Sequence, residues 1–217
     1  MDELTQLCQT RSEIYWWLST TLATELSDEQ LDKYQSAEIQ AFLQGLAVTP
    51  ALTAPVEKLI SALAAANLRN DARLELCADY AQVFLGNSAS SAPPYESVFT
   101  SANGHLMQDA YQQMTALLDE HNININDKYS EPADHIAIQL DFMGNLILKT
   151  LNAESEDAIR ASFALQHNFL QTHLLNWLGD FEMKVKACDK FGFYAAVVAL
   201  LFAYAQLDSD WLETELD

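Results

Sequence analysis

Apolar residues recur at helical spacing along almost the whole chain, and this periodicity restricts the fold more than any other feature. Leu4, Leu7, Ile14, Leu18 and Leu22 fall at intervals of three, four and seven, on one helix stripe that Tyr15, Trp16 and Trp17 widen. Ser27-Asp28-Glu29-Gln30 is a capping-box pattern and predicts a short second helix. Ile39, Phe42, Leu43 and Leu46 mark a third. Thr53 to Pro55 is expected to open a fourth, with Val56, Leu59, Ile60 and Leu63 inward. Asn70 is suited to cap a fifth, running through Leu74, Cys77, Ala81 and Phe84 to Gly86. No stretch shows a β-hairpin signal, a solenoid-length repeat or coiled-coil heptads. The expectation is an all-α fold.

Two interruptions organise the pattern. Residues 86–104 have loop composition around Pro93-Pro94, followed by Tyr95-Glu96-Ser97-Val98-Phe99. A loop of this length inside a domain is often functional, or Tyr95, Val98 and Phe99 simply pin it to the core. Helix returns with Leu106, Ala110, Met114 and Leu118 and stops near His121, before the polar run 122–128. Ser130 as N-cap, Pro132 in the first turn and Asp134 near the positive helix end predict a new helix start. The pattern then runs through Ile136, Leu140, Met143, Ile147 and Leu151. Ser155 is placed to cap the next helix, Gly179 to punctuate, and the acidic tail from Asp208 to fray. We therefore expect a helical bundle of two interdependent halves, residues 1–121 and 132–217, joined by a hinge at 122–131. Such a hinge makes the chain prone to domain swapping into a homodimer.

Charge and cysteine usage narrow the function classes. The net charge of −20, from 31 acidic and 11 basic residues, disfavours nucleic acid and anionic membranes and favours a cationic partner or plain solubility. Cys8, Cys77 and Cys188 are too far apart for a C-x-x-C site and fit a reducing compartment. The start Met1-Asp2-Glu3 lacks a basic or apolar leader, and no run approaches a transmembrane span. A cytoplasmic location is expected.

Catalytic patterns are missing. No two of the five histidines stand at i, i+4, and no Glu-x-x-His is present, which argues against zinc-helix and di-iron chemistry. There is no G-x-G, P-loop or G-x-S-x-G. Asp134-His135 remains, but neighbours on a helix diverge by about 100° and make a poor dyad. From the residues alone they are either a helix cap or polar groups on the rim of a groove, with Pro132 and Tyr129 beside them.

Three motifs then carry a resemblance. Glu131-Pro132-Ala133-Asp134-His135 with Leu140-Asp141-Phe142-Met143 is similar to the E-P-x-D-H…L-x-F-M signature of the TorD family of cytoplasmic molybdoenzyme chaperones. Tyr80 to Gly86 with Pro93 to Phe99 resembles its second motif, Tyr80 standing where the family often has Trp. Phe169 to Leu178 resembles the third. The likeness spans residues 75–205, whereas the first seventy match only as generic helices. It implies an all-helical chaperone rather than an enzyme. It implies binding of the twin-arginine signal peptide and body of a molybdenum-cofactor redox enzyme, and help with cofactor insertion before export; the chain is closest in look to the chaperone of trimethylamine N-oxide reductase, which makes that enzyme the expected client. It implies a client site bordered by Tyr80, Phe84, Pro94, Tyr95, Ser97, Glu131, Pro132, Asp134 and His135. No resident cofactor or metal is expected. Weak GTP binding attributed to some members has no phosphate loop to support it here. The competing readings are a helical nucleotide-binding protein and a structural adaptor without a peptide groove.

Overall fold

Local signals set several of the helix starts. In the computed structural model, which describes residues 3–86, 90–125 and 129–217, Ser27 and Gln30 make both bonds of a capping box. Ser36 and Ser155 each cap a helix by accepting a backbone N–H. The helices are α1 (Glu3–Ala23), α2 (Asp28–Tyr34), α3 (Ala37–Ala47), α4 (Pro50–Asn67), α5 (Ala72–Phe84) and α6 (Glu96–Thr100). They continue with α7 (Asp109–Glu120), α8 (Ile136–Lys149), α9 (Glu156–Phe169), α10 (Leu175–Cys188) and α11 (Phe193–Leu216). A 3₁₀ turn lies at Thr150–Asn152 and a π-turn at Leu170–Leu174. Among the described residues there is no strand, only one isolated bridge between Tyr95 and His135. The fold is all-α.

Several boundaries differ from expectation. α4 starts with Pro50 at its first turn, so Pro55 lies inside it. The cap of α5 is Asp71, whose carboxylate accepts the Leu74 N–H, and not Asn70. The buried face of α5 carries Leu76, Tyr80, Val83 and Phe84, leaving Leu74 exposed. Gly179 sits within α10, where the Phe202 ring lies 3.5 Å from the position a Cβ would take. α11 does have the length and hydropathy of a membrane-crossing helix, although no such run was expected. Core packing accounts for that apolarity, since 56% of its apolar 18-residue stretch is buried and Val197, Val198 and Leu201 are fully so.

The chain forms two compact units. The first comprises Met1–Ala23, Pro94–Trp177 and Asp208–Asp217, and the second Thr24–Pro93 and Leu178–Leu207. Part of the expected hinge, Asn126 to Lys128, lies outside the described residues.

α8 is the central element of the first unit. Ile136, Ile138, Leu140, Phe142, Met143, Leu146 and Ile147 are all buried, so it is apolar on nearly every side. α1 lies along it closely. Ser19 donates its hydroxyl to the Ala137 carbonyl at 2.7 Å. A Cβ on Gly144 would come within 2.5 Å of the Trp16 indole nitrogen, so only glycine permits this approach. The C-terminal end is tied down rather than frayed. Arg11 donates two bonds to Asp208, at 2.7 and 3.0 Å, and Tyr15 donates a third at 2.9 Å. The Arg11 guanidinium also lies 4.7 Å from the Trp211 ring centre, and Leu212 is fully buried.

The second unit closes around aromatic rings. Tyr80 meets Phe84 at 5.0 Å and Tyr194 at 5.5 Å, and Phe84 meets Tyr194 at 5.2 Å, all edge to face. Among the described residues Cys8, Cys77 and Cys188 form no disulfide.

Candidate functional site

The chain before α8 is a turn, and His135, not Ser130, caps the helix. The His135 N–H donates to the Pro132 carbonyl at 3.0 Å, which keeps Pro132 and Asp134 outside the helix. The His135 backbone is extended, and its Nδ1 accepts the Ala137 N–H at 3.1 Å. An accepting Nδ1 carries no proton, so the imidazole is neutral with its proton on Nε2. Burial agrees, pushing the His135 pKa down to about 3. A cation would be misplaced at the positive end of a helix, and a neutral imidazole acting as an acceptor there is not. The ring stands edge-on to Tyr95 at 5.0 Å and Tyr129 at 5.7 Å, and the Tyr129 hydroxyl lies 3.0 Å from Nδ1.

A short antiparallel bridge joins this turn to the proline loop. Ile136 donates its N–H to the Pro94 carbonyl at 2.9 Å, and Glu96 donates to the Asp134 carbonyl at 3.1 Å. Asp134 Oδ2 accepts the Ser97 N–H at 2.9 Å, satisfying a donor in the first turn of α6. Its Oδ1 is buried without a hydrogen-bond partner among the described residues. The Ser97 hydroxyl accepts the Gln108 N–H, which fixes the approach to α7. The Tyr95 hydroxyl donates to Glu131 at 2.6 Å.

Seven of the nine expected site residues therefore converge, in two layers. Pro94, Ser97, Asp134 and His135 are buried and hold the turn. Tyr95, Glu131 and Pro132 are half-buried and present it. Tyr80 and Phe84 belong to the second unit, where both are core residues at 3% and 2% exposure.

A groove of about 440 Å³ opens beside the presented residues, between α7 and the turn. Met107, Tyr111, Leu118, Ile123 and Ile125 join Pro132 in giving it an apolar lining. Its charged lining residues are Asp119 and Glu131, both acidic. The sequence marked Glu131 and Pro132 but not Asp119 or Tyr111, because the α7 pattern followed aliphatic residues, and of these only Leu118 also lines the groove. Among the described residues no cluster of His, Cys, Asp and Glu could hold a metal ion.

Comparison with known proteins agrees with the motif reading and extends it. Residues 47–183 match the family model described as nitrate reductase delta subunit. A chaperone protein TorD of Aliivibrio fischeri is 46% identical over 99% of this chain and 100% of that one. The chain belongs to the TorD family. Another chaperone protein TorD, from Vibrio vulnificus, is 43% identical over 98% of this chain and 99% of its own. A third, from Photobacterium profundum, is 42% identical over 98% of each. The similarity thus includes the first seventy residues, where the motifs were silent. These TorD relatives are named chaperones, and in this chain Asp134 and His135 are buried and hydrogen-bonded as framework.

Proposed function

We propose that the protein is a cytoplasmic chaperone dedicated to one molybdenum-cofactor redox enzyme, trimethylamine N-oxide reductase. It binds the twin-arginine signal peptide and the body of that enzyme, and keeps the precursor ready for cofactor insertion before export. The observation that carries this reading is the groove beside the Glu131–His135 turn, which combines apolar side chains with two carboxylates, Asp119 and Glu131, as its charged lining.

A twin-arginine signal combines a basic start with an apolar middle. Asp119 and Glu131 offer carboxylates to guanidinium groups, whose planar fork pairs with a carboxylate through two parallel bonds. Tyr111, Leu118 and Pro132 offer the apolar contact. The net charge of −20 accelerates encounter with a basic segment, an effect that salt screens over about 10 Å at 0.1 M. Asp134 and His135 act by holding the turn, and Glu131 and Pro132 by touching the peptide.

The test is to purify the protein natively from cells that make its client and identify what accompanies it. The expected companion is a molybdoenzyme precursor that retains an uncleaved Arg-Arg signal. Recovery of the client only in its mature, signal-less form would exclude the signal peptide as the bound element.

A further inference from the structure

Glu96 is a carboxylate at 2% exposure, and its hydrogen bonds come from three other segments of the first unit. The Asn176 amide at the start of α10 donates to Oε1 at 2.7 Å. The Gln139 amide of α8 donates to Oε2, and His173 Nδ1 of the π-turn lies 3.3 Å from the same oxygen. Among the described residues no lysine or arginine bonds it, so neutral amides and one imidazole hold a buried acid. Burying a carboxylate is costly unless its lone pairs are satisfied, and this arrangement satisfies them from opposite ends of the motif set.

The donors explain a motif that the proposed function leaves without a task. His173 and Asn176 belong to the third motif, Phe169 to Leu178, and neither lines the groove. A π-turn inserts one residue into helical phase, which re-aims the side chains that follow by about 100°. Here it lies between α9 and α10, where His173 and Asn176 both reach Glu96. The Glu96 backbone meanwhile donates to the Asp134 carbonyl, and its neighbour Tyr95 bonds Glu131. One residue thus connects the π-turn to the presented edge of the groove.

We infer that Glu96 is the positioning residue of the client-binding turn, and that the third motif acts by clamping it through His173 and Asn176. This rests on the proposed function only in naming what the turn binds.

The clamp is testable in the full chain with Glu96→Gln, Asn176→Asp and the double exchange. Glu96→Gln sets an amide against amide donors, and Asn176→Asp sets a carboxylate against a carboxylate at an exposed position. Each single variant should speed hydrogen exchange at the Glu96 and Ile136 amides of the bridge. Each should also weaken binding of a synthetic twin-arginine signal peptide about tenfold, as expected for a lost charged hydrogen bond. The double variant again faces one carboxylate with one amide and should recover most of both. Leu43→Ala, a core truncation in the second unit, should lower stability and leave peptide affinity in place. Unchanged bridge exchange in both single variants would overturn the clamp whatever the peptide does. Failure of the double variant to recover either readout, or an equal affinity loss in Leu43→Ala, would reduce the effect to general destabilisation and overturn it as well. A wild-type chain that ignores the peptide would refute the proposed function instead, and the exchange data would still decide the clamp.

Discussion

Asp208→Ala should cost about 3–5 kcal/mol of folding stability, a large share of what a domain possesses. The carboxylate accepts two bonds from Arg11 and one from Tyr15, 197 and 193 residues away in sequence, and both charged partners are about 95% buried. Removing it leaves a guanidinium inside the first unit without its counter-charge. Replacing both partners together, as Arg11→Met with Asp208→Leu, should cost much less than the single change, because the expense lies in the unpaired charge and not in the absence of the pair. Urea unfolding of the three variants measures this difference. If the single and double changes prove equally damaging, the end of α11 is held by its apolar contacts, such as Leu212, and not by the ion pair.

Acid should destabilise the chain through His135, and His135→Asn should blunt the effect. The imidazole has a pKa of about 3 when folded, against an ordinary 6.5. Between those values the unfolded chain binds a proton that the folded chain refuses, so stability falls as pH drops through 6.5 and stops falling near 3. At pH 4.5 the penalty from this residue alone is on the order of 2–3 kcal/mol. Asparagine can accept the same Ala137 N–H as a helix cap and does not titrate. The variant loses the ring contacts with Tyr95 and Tyr129, so its stability at pH 7 should be lower, but its profile between pH 7 and 4.5 should be flatter. Parallel slopes for the two proteins would show that His135 is not buried as a neutral cap.

The histidine cap of α8 is a feature the sequence obscures. Ser130 and Pro132 satisfy the local rules for a helix start, yet the chain begins its helix at Ile136. A non-local pairing decides the matter. Pro94 and Glu96 bond the residues on either side of His135, and the tyrosines at 95 and 129 enclose its ring. Where the signal was local, as in the Ser27 capping box or the Ser155 cap, the sequence was a sufficient guide. The acidic tail was misread for the same reason that α8 was. Asp208 finds its cation in α1, nearly the whole chain away, and charge density alone suggested solvent.

The site shows the same division. The motif residues from Glu131 to His135 were legible as a group, and the family resemblance implied a site shared with the proline loop. Their layering was not. Which carboxylate is exposed depends on the bridge: Asp134 is turned inward onto Ser97 and Glu131 outward toward the groove. The role of Glu96 was equally hidden, because its partners at 139, 173 and 176 become neighbours only through the π-turn and the packing of α8.

In the proposed function the groove beside the Glu131–His135 turn, with its two carboxylates, holds a twin-arginine signal. Calorimetric titration of the full chain with such a peptide, and with a copy whose two arginines are glutamines, tests it most directly. The wild-type chain should bind the arginine peptide more tightly. Asp119→Asn with Glu131→Gln should lower that affinity while leaving the weak binding of the glutamine peptide unchanged. Equal affinity for the two peptides, or an arginine peptide indifferent to the loss of both carboxylates, would contradict the account.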